Sequence, residues 1–299
     1  MKNLLLTGAN GFVGKNISPI LEKSYNLTSL GFSQNNDICV NLSQTTPCIN
    51  KKIDVVLHLA GKAHIVPRTT KEKQSFYAVN VQGTKNLCHA FEQEGNFPET
   101  FVFLSTLDVY GDVVGTDFTE KQELNPLTPY ADSKKQAEDF LIQWCKNNNV
   151  RLVILRASLI LGKNPVGNLA AMINGIKSGR YLSISKGKAR KSMLMVEDIA
   201  NIIPLVEDKE GVFNICDTES PSFKDLETLI AKQLNKKPPM NIPYWFAKIL
   251  AICGDILGRK APINSKRLRK ITETQTFSNK KAITELSFQP LNVLQHFKI

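Results

Sequence analysis

The sequence predicts an α/β protein built on a doubly wound parallel sheet. Three observations lead there. Short apolar runs alternate with stretches of helical periodicity through the first half of the chain. The runs are continuous rather than alternating in polarity, which suits strands buried on both faces. The first run, Leu4-Leu5-Leu6, opens directly into a turn marked by Gly8, Gly11 and Gly14.

That opening, KNLLLTGANGFVG, reads as strand, glycine turn and helix start. Residues without Cβ let the backbone approach a pyrophosphate, and a helix N-terminus offers free N–H groups and partial positive charge. An ordinary glycine-rich turn carries similar letters. The position at the head of an alternating chain favours a dinucleotide site on a Rossmann-like sheet. Pro19, inside the first helix, should kink it or end it early. Residues 53–59 read as a further buried strand, broken only by His58, and 76–94 as a long helix. Residues 100–104 read as a further strand. Thr128-Pro129 starts a helix over 130–146, where Ala137, Phe140, Leu141 and Trp144 fall at helical spacing. A strand over 150–155 follows the Asn147-Asn148-Asn149 turn.

The pattern changes after residue 163. Residues 169–178 look helical, 181–192 are basic and irregular, 193–206 are apolar and partly helical, and 212–215 form a short strand. Helices over 223–235 and 244–257 are separated by Lys237-Pro238-Pro239. The second carries Trp245, Phe246, Ile249, Leu250, Ile252 and Ile256 and could lie on a membrane surface. Its thin polar side, Lys248 and Asp255, favours burial instead. The chain thus divides into a dinucleotide-binding domain over 1–165, to which 193–222 return, and a smaller C-terminal substrate-binding lobe drawn mainly from 166–299.

Composition narrows the classes. A 42% hydrophobic content in 299 residues supports a sizeable core. Met1-Lys2-Asn3 runs into the first strand without a leader-length apolar run, and no stretch reaches the length of a membrane span. Cysteines 39, 48, 88, 145, 216 and 253 are scattered without a CxxC pair, as expected of free thiols in a reducing cytoplasm. His58, His64, His89 and His296 lack metal-ligand spacing, so no metal is expected. The net charge of +11 fits nucleic acid or an anionic small substrate. Its densest cluster, residues 266–270, has no interleaved aromatics. It reads as a solvated helix face, with a role near a diphosphate as the sharper alternative, and no nucleic-acid partner is expected.

Tyr130 and Lys134 lie four apart on one helix and therefore share a face. An ammonium there should favour the phenolate and lower the tyrosine pKa, giving an acid or base usable near neutrality. The preceding strand ends in Ser105-Thr106, which can offer a hydroxyl to the same reacting oxygen.

On these residues the chain resembles the extended short-chain dehydrogenase/reductases, in the branch of nucleotide-sugar epimerases, dehydratases and ketoreductases. Similar segments run nearly end to end: TGANGFVG (7–14), LHLAG (57–61), NVQGTKNL (80–87), FLSTLDVYG (103–111), YADSK (130–134), LRASLILG (155–162), VEDIA (196–200), FNI (213–215) and SNKKAITELSFQP (278–290). The resemblance implies that Gly8, Asn10, Gly11, Phe12, Val13 and Gly14 line the pyrophosphate of NAD or NADP. It puts Asn41-Leu42 beside the adenine, where relatives have Asp-Leu. Leu59, Ala60 and Gly61 then flank the cofactor, and Asn80 supports it structurally. Thr106, Tyr130 and Lys134 match the Ser/Thr-Tyr-Lys triad. A homodimer through the two long helices of the sheet domain is a further implication.

Departures from the family pattern narrow the activity. Dehydratases carry an acidic pair after the triad hydroxyl, and here it reads Leu107-Asp108. Leu107 cannot expel a hydroxyl as an acid. Many 4-epimerases have asparagine where this chain has Leu159. The segment resembles instead the ketoreductases that make 6-deoxy N-acetyl sugars, including the following Gly167-Asn168. Ser105, Asn168, Arg190 and Lys191 are expected on the substrate, with Lys191 the better aligned to a diphosphate-gripping arginine. Strand two ends Leu30-Gly31-Phe32-Ser33 without an acid, and Asp37 falls too late to serve. Ser33 is placed at the ribose, and the preference tilts to NADP. The implied reaction lies at C4 of a nucleotide-activated, UDP-linked hexose, as 4-ketoreductase or alternatively 4-epimerase. A non-catalytic NADP(H)-binding regulator or scaffold is the reading from another class.

Overall fold

The computed structural model describes residues 1–63, 65–257 and 263–299; His64 lies outside them. The first half contains strands β1 (Lys2–Thr7), β2 (Tyr25–Gly31), β3 (Ile38–Cys39), β4 (Val55–His58), β5 (Thr100–Thr106) and β6 (Gly115–Phe118). Its helices are α1 (Phe12–Leu21), α2 (Thr70–Tyr77), α3 (Gly83–Glu94) and α4 (Pro129–Asn147). The second half adds β7 (Arg151–Ala157), β8 (Leu159–Leu161), α5 (Gly167–Lys177), β9 (Leu182–Ile184), β10 (Met193–Met195), α6 (Glu197–Val206) and β11 (Gly211–Ile215). It closes with α7 (Phe223–Gln233), β12 (Met240–Ile242), α8 (Tyr244–Leu257), α9 (Ser265–Thr272), β13 (Gln275–Phe277), α10 (Lys280–Leu286) and α11 (Val293–His296).

Seven strands form one parallel sheet in the order β11-β7-β5-β4-β1-β2-β3. The chain winds outward from β1 in both directions, so the strand order reverses between β1 and β4. Ligands of open α/β sheets bind outside the carboxyl ends of the strands at such a reversal. The fold is therefore the doubly wound α/β class that the alternating runs predict.

Side-chain alternation along the strands builds two cores. Leu4, Leu6, Val55, Leu57, Val102 and Val153 face α1, α6 and α10 through Ile17, Ile199, Ile202, Ala282 and Leu286. Leu5, Val56, Phe101, Phe103 and Ile154 face α3 and α4 through Leu87, Phe91, Ala137, Leu141 and Trp144. A third cluster joins α5, α7 and α11 through Leu169, Ile173, Leu226, Ile230 and Val293.

Several local expectations need correction. The helix carrying Pro19 runs on to Leu21, because a proline in the last turn removes a single backbone bond. The helix expected over 76–94 begins at Thr70 and is continuous to Glu94, with a π-helical turn over Ala78–Gln82. The stretch read as irregular contains β9, paired with β12. The largest correction concerns α8. It buries Ala247, Ala251 and Gly254, while Trp245 is 64% and Ile256 83% exposed. Small residues face the lobe and the bulky apolar ones face out. Composition alone hides that division.

Candidate active site

At the strand-order reversal β1 ends in the glycine turn. Gly8 has φ +77°, the left-handed region that favours glycine, and a Cβ there would sit 2.8 Å from the Ala60 amide nitrogen. The Gly11 N–H donates to the Gly8 carbonyl at 2.9 Å, turning the chain into α1. Gly11 is the N-cap, and no side chain caps the helix, so its leading N–H groups are left for an anion or solvent. Gly14 serves packing: a Cβ there would lie 2.4 Å from the Gly8 carbonyl oxygen. Phe12 and Val13 are half-buried behind the turn. This open cradle on a bare helix end fits a dinucleotide pyrophosphate.

The opposite lip, Leu59-Ala60-Gly61, is tied to the turn by buried polar groups. The Thr7 hydroxyl accepts the Ala60 N–H at 3.0 Å and meets His58 Nδ1 at 2.6 Å. His58 Nε2 lies 2.9 Å from the Thr84 hydroxyl, which donates to the Asn80 carbonyl. With the Thr84 proton spent, Nε2 carries the imidazole proton and Nδ1 accepts from Thr7. Burial, with the Lys134 charge in the same direction, pulls His58 down to about 3, so it stays neutral. Asn80 completes the lip. Its Oδ1 accepts the Lys62 N–H at 2.6 Å, and its Nδ2 donates to the Ser133 hydroxyl at 2.8 Å. Ser133 in turn donates to the Tyr130 carbonyl at 2.8 Å. The structural role expected of Asn80 is thus a clamp between the lip and the start of α4.

Beyond β2, Asn10 Nδ2 donates to Asn36 Oδ1 at 3.0 Å, and Asn36 Nδ2 to the Ser33 carbonyl at 2.7 Å. Asn36 went unrecognised in the sequence, yet it joins the glycine turn to the loop after β2. Asp37 accepts from the Ser29 N–H and hydroxyl, both at 2.7 Å, and these bonds hold its carboxyl below the usual range. The exposed Asn41 accepts from the Ser43 N–H at 3.2 Å and hydroxyl at 2.8 Å, capping its own turn. Leu42 is buried against Gly83.

Thr106, Tyr130 and Lys134 converge at the end of β5. Thr128 caps α4 by accepting the Ala131 N–H, and Pro129 occupies the first turn, fixing where Tyr130 emerges. The Tyr130 ring packs edge-on to Phe76, centroids 6.4 Å apart. Burial raises the Tyr130 pKa, the Asp108 charge adds to this, and a hydrogen bond with the Thr106 hydroxyl opposes it. The expectation that Lys134 makes the phenol acidic is overturned. Lys134 is 4% exposed, with its ammonium 3.9 Å from the centre of the Phe103 ring. Burial pulls it down to about 7 against the raising charge of Glu138.

Ser105 also departs from expectation. Its hydroxyl donates inward to Glu138, so it is not presented to a substrate. Glu138 holds Arg156 through Nη2–Oε2 at 2.7 Å, and Arg156 Nη1 donates to the Tyr110 hydroxyl at 2.9 Å. Tyr110 donates to Asn214 Oδ1 at 2.8 Å. This buried chain braces β5, β7 and β11 behind the triad. Glu138, one turn beyond Lys134, was the available sequence signal: a carboxylate on the buried face of a helix needs a partner.

The other substrate candidates separate. The exposed Asn168 stands in the first turn of α5, and Leu159 is 39% exposed on β8. Arg190 bridges to Ser222, and its charge acts on Asp225 at the start of α7. Lys191 faces the other way. Its Nζ is 3.3 Å from Gln275 Oε1, and burial with the Lys270 charge lowers it to about 8 against Glu273, Asp108 and Asp112. Lys191 therefore lies within reach of the Asp108 charge, which also acts on Tyr130. Among the described residues no group of three or more acidic, histidine or cysteine side chains could hold a metal.

Comparisons with known proteins agree with this geometry. The N-acetyl-alpha-D-glucosaminyl-diphospho-ditrans,octacis-undecaprenol 4-epimerase of Escherichia coli O157:H7 is 29% identical over 92% of this chain and 87% of its own. The GDP-6-deoxy-D-mannose reductase of Pseudomonas aeruginosa is 27% identical over 77% of this chain and 79% of its own. RMD from Pseudomonas aeruginosa, solved with NADPH, superposes with a TM-score of 0.76 at 21% identity, over 99% of this chain and 95% of that one, a likeness of fold. Residues 4–216 match the model of one family, and with the cradle fitted to a pyrophosphate the assignment follows: the chain is an enzyme of the NAD dependent epimerase/dehydratase family.

Proposed function

We propose that this enzyme reduces a 4-keto group on a hexose carried by a diphosphate, with Tyr130 as proton donor. One observation supports the direction: the end of β2, Leu30-Gly31-Phe32-Ser33, carries no carboxylate, which suits a reductase that takes up NADPH afresh at each turnover. Leu107, apolar and buried where elimination of a hydroxyl needs an acid, argues against dehydration.

When held in the cradle at the start of α1, NADPH or NADH would supply the hydride to C4. As negative charge grows on the C4 oxygen, Tyr130 donates its proton, and Thr106 hydrogen-bonds the same oxygen. Lys134, near its own midpoint at neutral pH, resupplies the proton and holds the ribose. The first-turn N–H groups of α1 hold the pyrophosphate, and Gly8, in the left-handed region, shapes the turn that leads to them. Ser33, with no free carboxylate at the end of β2, supports a preference for NADP. Lys191 and Lys270 provide positive charge for the substrate diphosphate, whose carrier we take to be UDP.

A second reading, 4-epimerisation, is favoured by the Escherichia coli relative, a 4-epimerase of a lipid-diphosphate sugar. It uses the same three residues, with hydride returned to the opposite face. The test is turnover of NADPH with a UDP-4-keto-6-deoxy sugar, beside interconversion of UDP-N-acetylglucosamine without net cofactor consumption. Tyr130→Phe should lower either activity by roughly 10²–10⁴-fold with cofactor binding kept. Undiminished turnover in that variant removes Tyr130 from the chemistry.

A further inference from the structure

We propose that the outward face of α8 docks this protein on the surface of an anionic lipid bilayer. The helix is built inside out for a globular lobe. Ala247, Ala251 and Gly254 form a stripe of small residues laid on Ile184, Ile242 and Leu268. At about 100° per residue, Trp245, Ile249, Ile252 and Ile256 fall on the opposite side. Ile249 and Ile252 are about half exposed, Ile256 and Leu257 far more, and Phe246 and Leu250 flank them. Tyr244, Lys248 and Asp255 fill a narrow strip between the two faces. A contiguous apolar face of this kind marks an interaction surface.

The charge around it selects the partner. Between Lys236 and Lys270 the sequence carries nine Lys/Arg and a single acid, Asp255. Helix α9 packs on α8 through Leu268 and brings Lys266, Arg267, Arg269 and Lys270 to its side, of which Arg269 pairs with Glu273. An apolar face fringed by such basic charge complements lipid chains beneath anionic headgroups. Trp245 and Tyr244 stand at one end of the helix, where amphipathic rings settle at an interface. No helix among the described residues is long and apolar enough to cross a membrane, so the contact is with one leaflet. Lys270, on the same basic helix, acts on Lys191 beside the triad. The inference stands on α8 and its surroundings and does not depend on which reaction occurs at C4.

The test needs no substrate. The full chain is floated with phosphatidylglycerol/phosphatidylcholine vesicles, with phosphatidylcholine alone, and at low and high salt. It should rise with the anionic vesicles and be released by salt. The chain has two tryptophans, and Trp144 is buried in the sheet domain, so quenching by brominated lipid reports Trp245. The double variant Ile249→Glu/Ile252→Glu should lose flotation and quenching while keeping its melting temperature and NADPH binding. Lys248→Glu/Lys266→Glu should weaken vesicle binding by about tenfold or more. Absence of flotation with anionic vesicles at low salt overturns the proposal. So does equal flotation of the isoleucine variant, or a dimer in sedimentation that this variant dissociates with no vesicle binding by the parent.

Discussion

Replacing Glu138 by glutamine keeps the shape of the side chain and removes its charge. Glu138 is 1% exposed, and the Arg156 side chain 7%. Three contacts join them: Nη2–Oε2 at 2.7 Å and Nε to each carboxylate oxygen at 3.3 Å. Breaking one partner of a buried pair costs on the order of 3–5 kcal/mol, because the other charge stays buried without compensation. Arg156 keeps its bond to Tyr110, which places the expected loss near the lower end, about 3 kcal/mol. For a chain of this size that lowers the melting temperature by roughly 6 °C. The double variant Glu138→Gln/Arg156→Met should recover part of the loss, since no uncompensated charge remains. A second readout is independent of stability. Glu138 raises Lys134, so Glu138→Gln should move the Lys134 midpoint below about 7 and shift the pH dependence of NADPH binding to lower pH. Thermal melts of both single variants and the double complete the cycle. A loss under about 1 kcal/mol in Glu138→Gln, or a double variant as unstable as the two singles summed, would refute the view of this pair as one buried unit.

Three further outcomes follow from the glycine turn and a buried acid. Gly14→Ala should cost about 1–3 kcal/mol in urea unfolding, since its Cβ would meet backbone atoms at 2.4–2.6 Å. Gly11→Ala would set its Cβ 3.2 Å from the Gly8 carbonyl oxygen and so shift the turn before α1; it should weaken NADPH about tenfold or more in fluorescence titration; equal affinity would move the pyrophosphate elsewhere. Asp198 is fully buried and raised to about 7 by burial and by the Glu197 and Asp217 charges, although the Leu291 N–H donates to it. Its protonated form is favoured by folding, so this contribution is complete below about pH 4 and lost as pH rises through about 7. Asp198→Asn should flatten the decline in urea midpoint across that range and be the more stable form above it, by up to about 4 kcal/mol; a steeper decline in the variant would reverse the sign.

The parallel sheet and the triad were legible because each rests on local pattern. Buried parallel strands must be continuous apolar runs, and Tyr130 and Lys134 share a face through the helical repeat alone. The direction of the pKa shifts was not legible. It depends on how deeply Lys134 is buried over Phe103, and burial is a property of the assembled sheet. Ser105 and Arg190 show the same limit. Each neighbours a residue that faces the site, and a one-residue step along extended backbone turns a side chain to the other face. Helix α8 failed differently: its apolar count was right, but the lobe chose the small residues for contact because they allow close approach.

The wide turn over Ala78–Gln82 works as a splice within a single rod. Upstream, Phe76 must meet Tyr130; downstream, Thr84 must meet His58. A uniform spiral ties the azimuths of those two neighbours together, eight residues apart. One surplus residue between them uncouples the phases, and Asn80, at the centre of the splice, is aimed inward as a result. Deleting a residue there would leave a helix of ordinary spectrum whose two halves could no longer both find their partners.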